Sequence, residues 1–141
     1  MSKAWHQGVF EPINKNKCMN NKPIRYMSGW EKKIMHILDT NPCVIRWASE
    51  NIPIPYYHPI KKKQCVYLPD LYVEIKDAKG KIHKYMYEVK PAKEAFTSKA
   101  KSRYDKIALI VNMFKWKEAQ KFCKRYGIVF KILTEEQLFS I

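Results

Sequence analysis

Two stretches of the chain carry apolar residues at the three- and four-residue intervals of an amphipathic helix. The first covers residues 29–39, where Ser28 is placed as the N-cap and Glu31 completes a capping box. The second covers about residues 103–126 and ends before Gly127, a suitable terminator. The apolar stripes consist of Trp30, Ile34, Ile37 and Leu38 in the first helix and Ile107, Ile110, Val111, Phe114, Ala119, Phe122 and Tyr126 in the second.

The sequence between these two predicted helices shows the alternation of apolar and polar residues that is typical of strands. Residues 44–47 and 52–56 are short strands, and two prolines in the second are typical of an edge or bulged strand. Residues 66–76 and 81–90 are predicted to form a hairpin, and residues 128–133 a final strand. A short closing helix begins near Thr134.

The resulting order, α-β-β-β-α-β-α, predicts an α/β fold with a mixed central sheet flanked by helices. Residues 1–25 show little periodicity and several Asn and Lys, so we expect a basic, irregular N-terminal arm. Residues 26–141 are expected to form a single domain, a size that allows a working core.

The hairpin predicts a meeting of charged side chains at one end. If its turn is centred on Lys79, paired residues have numbers that sum to 158, so Asp70 faces Glu88. Lys90 lies two residues beyond Glu88 and therefore on the same face. The same register pairs Glu74 with Lys84, an opposite-charge pair that supports it.

Two carboxylates and a lysine in this arrangement suit phosphodiester hydrolysis. Mg²⁺ prefers oxygen ligands and keeps several waters, so Asp70 and Glu88 are the candidate metal ligands, with the Val89 backbone carbonyl as a third. Lys90 is the candidate group that orients or deprotonates a water or balances charge. The alternative is purely structural: Asp70 caps a turn, and Glu88 and Lys90 lie on a solvated strand face.

Net charge supports a polyanionic partner. Twenty-seven Lys and Arg against thirteen Asp and Glu give +14. Residues 99–131 contain ten basic residues and only two acidic ones, which gives this segment a net charge of +8. Nucleic acid is the simplest partner for such a field, although a lysine-rich protein background would produce the same excess.

Other classes of protein and site are disfavoured. No apolar run approaches the roughly 20 residues of a membrane span, and residues 1–10 lack a signal-peptide core. The four dispersed cysteines form no C-x-x-C pair, so we expect reduced thiols rather than zinc ligands or disulfides. We therefore expect a soluble protein that is not secreted.

Several of these segments resemble known nucleases. Tyr-Leu-Pro-Asp at residues 67–70 and Tyr-Glu-Val-Lys-Pro at residues 87–91 look like the PD-(D/E)XK signature. Residues 28–31 and 45–56 resemble the endonuclease subunit of heteromeric transposases and, more closely, the head completion nucleases of T-even-like tailed phages. Further segments fit the latter group, so the resemblance covers about residues 24–139.

This resemblance implies a Mg²⁺-dependent DNA endonuclease, with Mn²⁺ as a substitute, on a restriction-endonuclease-like αβββαβ core. It adds Glu31 to Asp70, Glu88 and Lys90, as a first-helix acid and further metal ligand; the capping box is the competing role. Glu50 is interpreted as a structural acid at a strand end. The implied setting is phage head maturation, with portal or head proteins as partners and the host cytoplasm or the virion as location.

Three other functions stay open from the sequence. The first is a transposase-type or repair endonuclease of the same fold. The second is a non-catalytic DNA-binding head completion protein that retains the three polar residues for structural reasons. The third is an RNA-binding module, for which exposed aromatic residues beside basic ones are required.

Overall fold

Eight strands and three helices occur in residues 7–90 and 102–139, the part of the chain that the computed structural model describes. The strands are β1 (Gly8–Phe10), β2 (Ile24–Tyr26), β3 (Val44–Ser49), β4 (Ile54–His58), β5 (Lys63–Tyr67), β6 (Leu71–Lys76), β7 (Ile82–Lys90) and β8 (Val129–Thr134). The helices are α1 (Gly29–Thr40), α2 (Arg103–Tyr126) and α3 (Glu135–Leu138).

A mixed four-stranded sheet forms the centre, in the order β3-β6-β7-β8. Strands β3, β6 and β7 are antiparallel, whereas β8 runs parallel to β7 after the chain has passed through α2. Strand β1 pairs with β2, and β4 pairs with β5, outside this sheet. The predicted α/β fold with a mixed sheet flanked by helices is confirmed.

The two faces of the sheet carry separate apolar cores, because successive side chains of a strand point to opposite sides. Val73 packs in the first core with Trp47 and the buried face of α1. The adjacent Tyr72 packs in the second core with Met86 and Ala119 of α2. Each helix therefore covers one face of the sheet.

The predicted continuous strand over residues 66–76 is wrong. The chain forms β5 up to Tyr67 and starts β6 only at Leu71, with Pro69 in the break. Proline has no N–H for a ladder and does not fit a central strand. The break lets β5 pair with β4 while β6 enters the central sheet, and it leaves Asp70 at the start of β6.

The first half of α2 differs from the predicted apolar stripe. The buried residues of the helix are Ala119 and Cys123, both in its second half. In the first half the predicted stripe residues Ile110 and Phe114 are exposed, and Tyr104 is 86% exposed. Gly127 ends the helix in the left-handed conformation at φ 68°, as predicted.

The sequence suggested an irregular arm over residues 1–25. In the structure, residues 7–25 contain β1 and the start of β2 and are therefore partly regular. Phe10 in β1 and Ile24 in β2 are buried in the first core. Ile13 donates its backbone N–H to the carboxylate of the fully buried Asp39, and Trp47 donates its backbone N–H to the Lys17 carbonyl. This described part of the segment is packed on α1 and β3; residues 1–6 lie outside the described residues.

All four cysteines, Cys18, Cys43, Cys65 and Cys123, are free thiols. Among the helices of the described residues, none is both long enough and apolar enough to cross a membrane.

Candidate active site

The hairpin register is the one predicted from the sequence. Leu71 pairs with Tyr87 and Glu74 with Lys84, each pair summing to 158. Continuing the ladder by one residue brings Asp70 opposite Glu88, and each carboxyl group shifts the pKa of the other. Asp70 Oδ2 also accepts the Val89 backbone N–H at 2.7 Å. The end of the hairpin therefore brings two carboxyl groups together.

Burial dominates the electrostatics of this pair. Burial and then the charge of Asp70 raise the pKa of Glu88 from 4.5 to about 7. Burial also raises the pKa of Asp70, against the lowering effect of the Val89 N–H. Both carboxyl groups are therefore harder to ionise than free ones, because each is partly removed from water and lies beside other acids.

Lys90 lies on the same side of this strand end, as alternation requires. Its positive charge lowers the pKa of both Asp70 and Glu88. The ion pairs of the described residues are Arg46–Glu74, His83–Asp77 and Lys121–Glu118, so no Lys, Arg or His in this part of the chain lies within 4 Å of either carboxylate. The Lys90 ammonium instead lies 5.4 Å from the centroid of the Trp116 ring.

Glu31 reaches the site from the first turn of α1. Its Oε2 accepts the Met27 N–H at 2.8 Å and the Ser28 hydroxyl at 3.0 Å, while its own N–H donates to Ser28 Oγ at 3.4 Å. This is a capping arrangement, although Glu31 bonds the amide of Met27 rather than that of Ser28. Glu31 also raises the pKa of Asp70, so the two acids are neighbours.

Glu50, interpreted from the sequence as a structural acid at a strand end, lies beside the candidate site. Together with Glu31 and Asp70 it lines a cavity of about 20 Å³, more than the roughly 10–15 Å³ that one water needs. Its N–H donates to the Asp70 carbonyl at 3.1 Å, and its φ of 45° costs about 1–2 kcal/mol for a residue other than glycine. Burial, Asp70 and Glu31 raise its pKa. The sequence did contain a signal for this position: Glu50 is an acid directly after β3, and the end of β3 lies beside the start of β6.

Two aromatic side chains that lie next to Glu88 or Lys90 were not recognised from the sequence as part of the site. Tyr67, at the end of β5, donates its hydroxyl to Glu88 Oε1 at 2.7 Å. Burial and Glu88 raise the pKa of Tyr67 far above its ordinary value, while the nearby Trp116 N–H opposes that shift. The Trp116 N–H is buried and does not reach hydrogen-bonding geometry with any described residue. The sequence placed Tyr67 in the nuclease-like segment 67–70 but gave its side chain no role.

The donor set fits a hard divalent cation. Asp70 and Glu88 supply oxygen ligands side by side, and their raised pKa values mean that a cation would relieve an unfavourable concentration of negative charge. Mg²⁺ binds through one or two carboxylates and keeps several waters. Within the described ranges, no three His, Cys, Asp or Glu side chains are grouped tightly enough to hold a metal on their own. The pair, rather than a closed cage, is the feature that suits Mg²⁺.

Fold and site together define the class of restriction-endonuclease-like nucleases: a mixed sheet between helices, with acids and a lysine at the end of a central hairpin. The chain belongs to the family described as TnsA-like endonuclease N terminal, whose model matches residues 41–135. This range contains Asp70, Glu88 and Lys90, whereas Glu31 precedes it. The chain is also 36% identical over 147 residues to a head completion nuclease of Enterobacteria phage T4, covering 96% of this chain and 95% of that protein.

Proposed function

We propose that this protein is a Mg²⁺-dependent DNA endonuclease, with Asp70 and Glu88 as metal ligands and Lys90 as the catalytic cation. The observation that carries the proposal is the half-buried Asp70–Glu88 pair with Lys90 beside it and no described cation within 4 Å of either carboxylate. The family supports the nuclease class; the metal, the substrate and the roles of the residues are the proposal.

A divalent ion at this pair supplies charge neutralisation at the phosphate and a water of lowered pKa. Asp70 is positioned for this by the Val89 N–H, and Glu88 by the Tyr67 hydroxyl, so both carboxylates have fixed directions. Val89 offers its backbone carbonyl as a further ligand. Mn²⁺, which accepts the same oxygen donors, is expected to replace Mg²⁺.

Lys90 supplies hydrogen bonds and positive charge where the scissile phosphate lies against the acids. Its ammonium donates to the attacking water and to the phosphate oxygen that gains charge. Glu31 is proposed as an additional ligand reached through the cavity that it shares with Asp70. Its capping contacts use Oε2, so Oε1 is the atom proposed for this role.

The substrate is proposed to be DNA and the setting phage head completion. The charge of +14 favours a polyanion, and the full-length match to a protein named head completion nuclease favours this setting over a transposase partner. Portal or head proteins in the host cytoplasm or the virion are the partners proposed for that setting.

Plasmid cleavage tests the site. Wild-type protein is expected to cut with Mg²⁺ or Mn²⁺ and not with EDTA, while Asp70→Asn and Lys90→Ala lower the rate by at least about 10²-fold, the size of a lost transition-state contact. Lys84→Ala is the matched control, because Lys84 lies on the same strand face at the far end of the hairpin.

Two outcomes would contradict the proposal. Equal cutting by Asp70→Asn and wild type would remove the site assignment. DNA binding without cutting, under any metal condition, would favour the non-catalytic DNA-binding protein instead.

A further inference from the structure

One lysine of α2 is turned toward the sheet, unlike its basic neighbours. Lys117, Lys121 and Lys124 are exposed, whereas Lys115 is half-buried. Its Nζ lies 5.8 Å from the centroid of the Tyr56 ring and 5.7 Å from that of Tyr67. Two aromatic rings of the β4–β5 pair thus hold this ammonium on the side of the helix that faces these strands.

Tyr67 connects Lys115 to the candidate active site. Its hydroxyl donates to Glu88 Oε1 at 2.7 Å, so Lys115 is one side chain away from the acidic pair. The next residue of α2, Trp116, has the Lys90 ammonium 5.4 Å from its ring centroid. Two lysines, one from α2 and one from β7, therefore lie where the helix passes the acid-bearing end of the sheet.

Both ammonium groups are available to a ligand. Neither belongs to any ion pair of the described residues, since these pairs use Arg46, His83 and Lys121 as the cations. An aromatic face attracts a cation but carries no net charge, so it fixes the ammonium without neutralising it. A phosphate next to the site would meet two ammonium groups that are not held in an ion pair with a described residue.

We infer that Lys115 and Lys90 form a phosphate-binding subsite that holds the DNA backbone against the Asp70–Glu88 pair. This inference rests on the proposed nuclease function and extends it by assigning a substrate-binding role to α2. Tyr56 and Tyr67 are positioning residues, which keep the Lys115 ammonium in place. The ligand is the phosphodiester of a DNA strand, read without regard to sequence.

The competing role for Lys115 is packing, with its methylene stem covering the tyrosine rings. Lys115→Met separates the two roles, because methionine retains an unbranched apolar side chain and removes the charge. Lys115→Arg retains the charge on a longer side chain. Lys117→Met is the matched control: it lies on the same helix two residues away, is exposed, and makes no ion pair or ring contact with the described residues.

The first measurement is binding of a short fluorescein-labelled DNA duplex in EDTA, from about 50 to 200 mM salt. Lys115→Met is expected to lower the slope of log affinity against log salt by about one, the loss of one phosphate contact. Lys115→Arg is expected to have the wild-type slope. Lys117→Met is expected to lower the slope by distinctly less than Lys115→Met does. In Mg²⁺, Lys115→Met raises KM for plasmid cleavage more than it lowers kcat, as expected for a binding contact.

Two results would overturn the subsite. One is a Lys115→Met protein with the wild-type salt slope and KM; the other is an equal loss in Lys117→Met. If thermal melting shows that Lys115→Met is destabilised, the Lys115→Arg protein provides the test instead. A Lys115→Arg protein that is folded but shows the same reduced salt slope as Lys115→Met would also overturn the subsite. If the wild-type protein does not cut DNA, but its salt slope still exceeds that of Lys115→Met by about one, the nuclease proposal is contradicted and the phosphate-binding subsite is supported.

Discussion

Glu88 is the residue on which the strongest opposing effects act. Burial and Asp70 raise the pKa of its carboxyl, while the Tyr67 hydroxyl and Lys90 lower it. The balance leaves its pKa at about 7 against an ordinary 4.5. A carboxyl that is difficult to ionise without help is well suited to bind a divalent cation, and the metal-free protein should be sensitive to its ionisation.

Stability of the metal-free protein is expected to fall as Glu88 ionises. Because the folded-state pKa is raised, the contribution of Glu88 is fully present below about pH 4.5 and is lost as the pH rises through about 7. Urea unfolding in EDTA at pH 5 and pH 8 should show this loss in wild type and a smaller loss in Glu88→Gln. The control is Glu11→Gln, an exposed acid outside the site. Parallel pH profiles for wild type and Glu88→Gln would contradict the expectation.

Asp39 is a residue whose role could not be predicted from the sequence. Its place at the end of the first helix was predicted, but not its role. Its carboxylate is fully buried and accepts hydrogen bonds from the N–H groups of Ile13 and Asn14 and from the Trp47 indole. These donors lie up to 26 residues away in sequence, and no local pattern reveals such contacts.

At the scale of elements, the β6–β7 hairpin was predictable because its turn is local. Asp77 Oδ1 accepts the N–H groups of Lys79 and Lys81, and Gly80 takes the φ of 84° that the turn requires. The turn fixes the register, and the register places Asp70 opposite Glu88. The candidate site could therefore be located before the fold was known.

The N-terminal segment was not predictable in this way, because its contacts are long-range. Phe10 packs edge-to-face on Trp47, with ring centroids 5.7 Å apart, and is only 7% exposed. We propose that residues 7–25 belong to the nuclease domain rather than to a separable arm. Three-residue strands such as β1 and β2 carry too little periodicity to be recognised in a sequence.

Phe10→Ala tests this proposal. Removing a buried aromatic ring from the first core is expected to cost about 3–5 kcal/mol in the free energy of unfolding, measured by urea denaturation. Val9→Ala, next to it and 55% exposed, should change that free energy by no more than about 0.5 kcal/mol. A small effect of Phe10→Ala would show that the segment is dispensable for folding.

For the whole molecule, the charge of +14 is expected to dominate DNA affinity. If about six phosphates are contacted, affinity for a duplex should fall about 10³-fold between 50 and 200 mM salt, because bound counterions are released. Fluorescence anisotropy across a salt series measures this.

The base sequence of the duplex supplies the control, since phosphate contacts carry no sequence information and the slope should not change with it. Affinity that barely varies with salt would favour the alternative that the excess of lysine reflects composition alone.

The sequence by itself determined the features that depend on neighbours along the chain: the helix caps, the hairpin register, the facing acids and the mixed α/β order. Only the tertiary structure decided which elements meet. It placed Glu50 beside Asp70, Tyr67 on Glu88 and Lys115 over Tyr67. It also left Ile110 and Phe114 in the first half of α2 exposed. Local turn and capping energies are readable from short segments, whereas burial and ring contacts arise from packing between residues far apart in sequence.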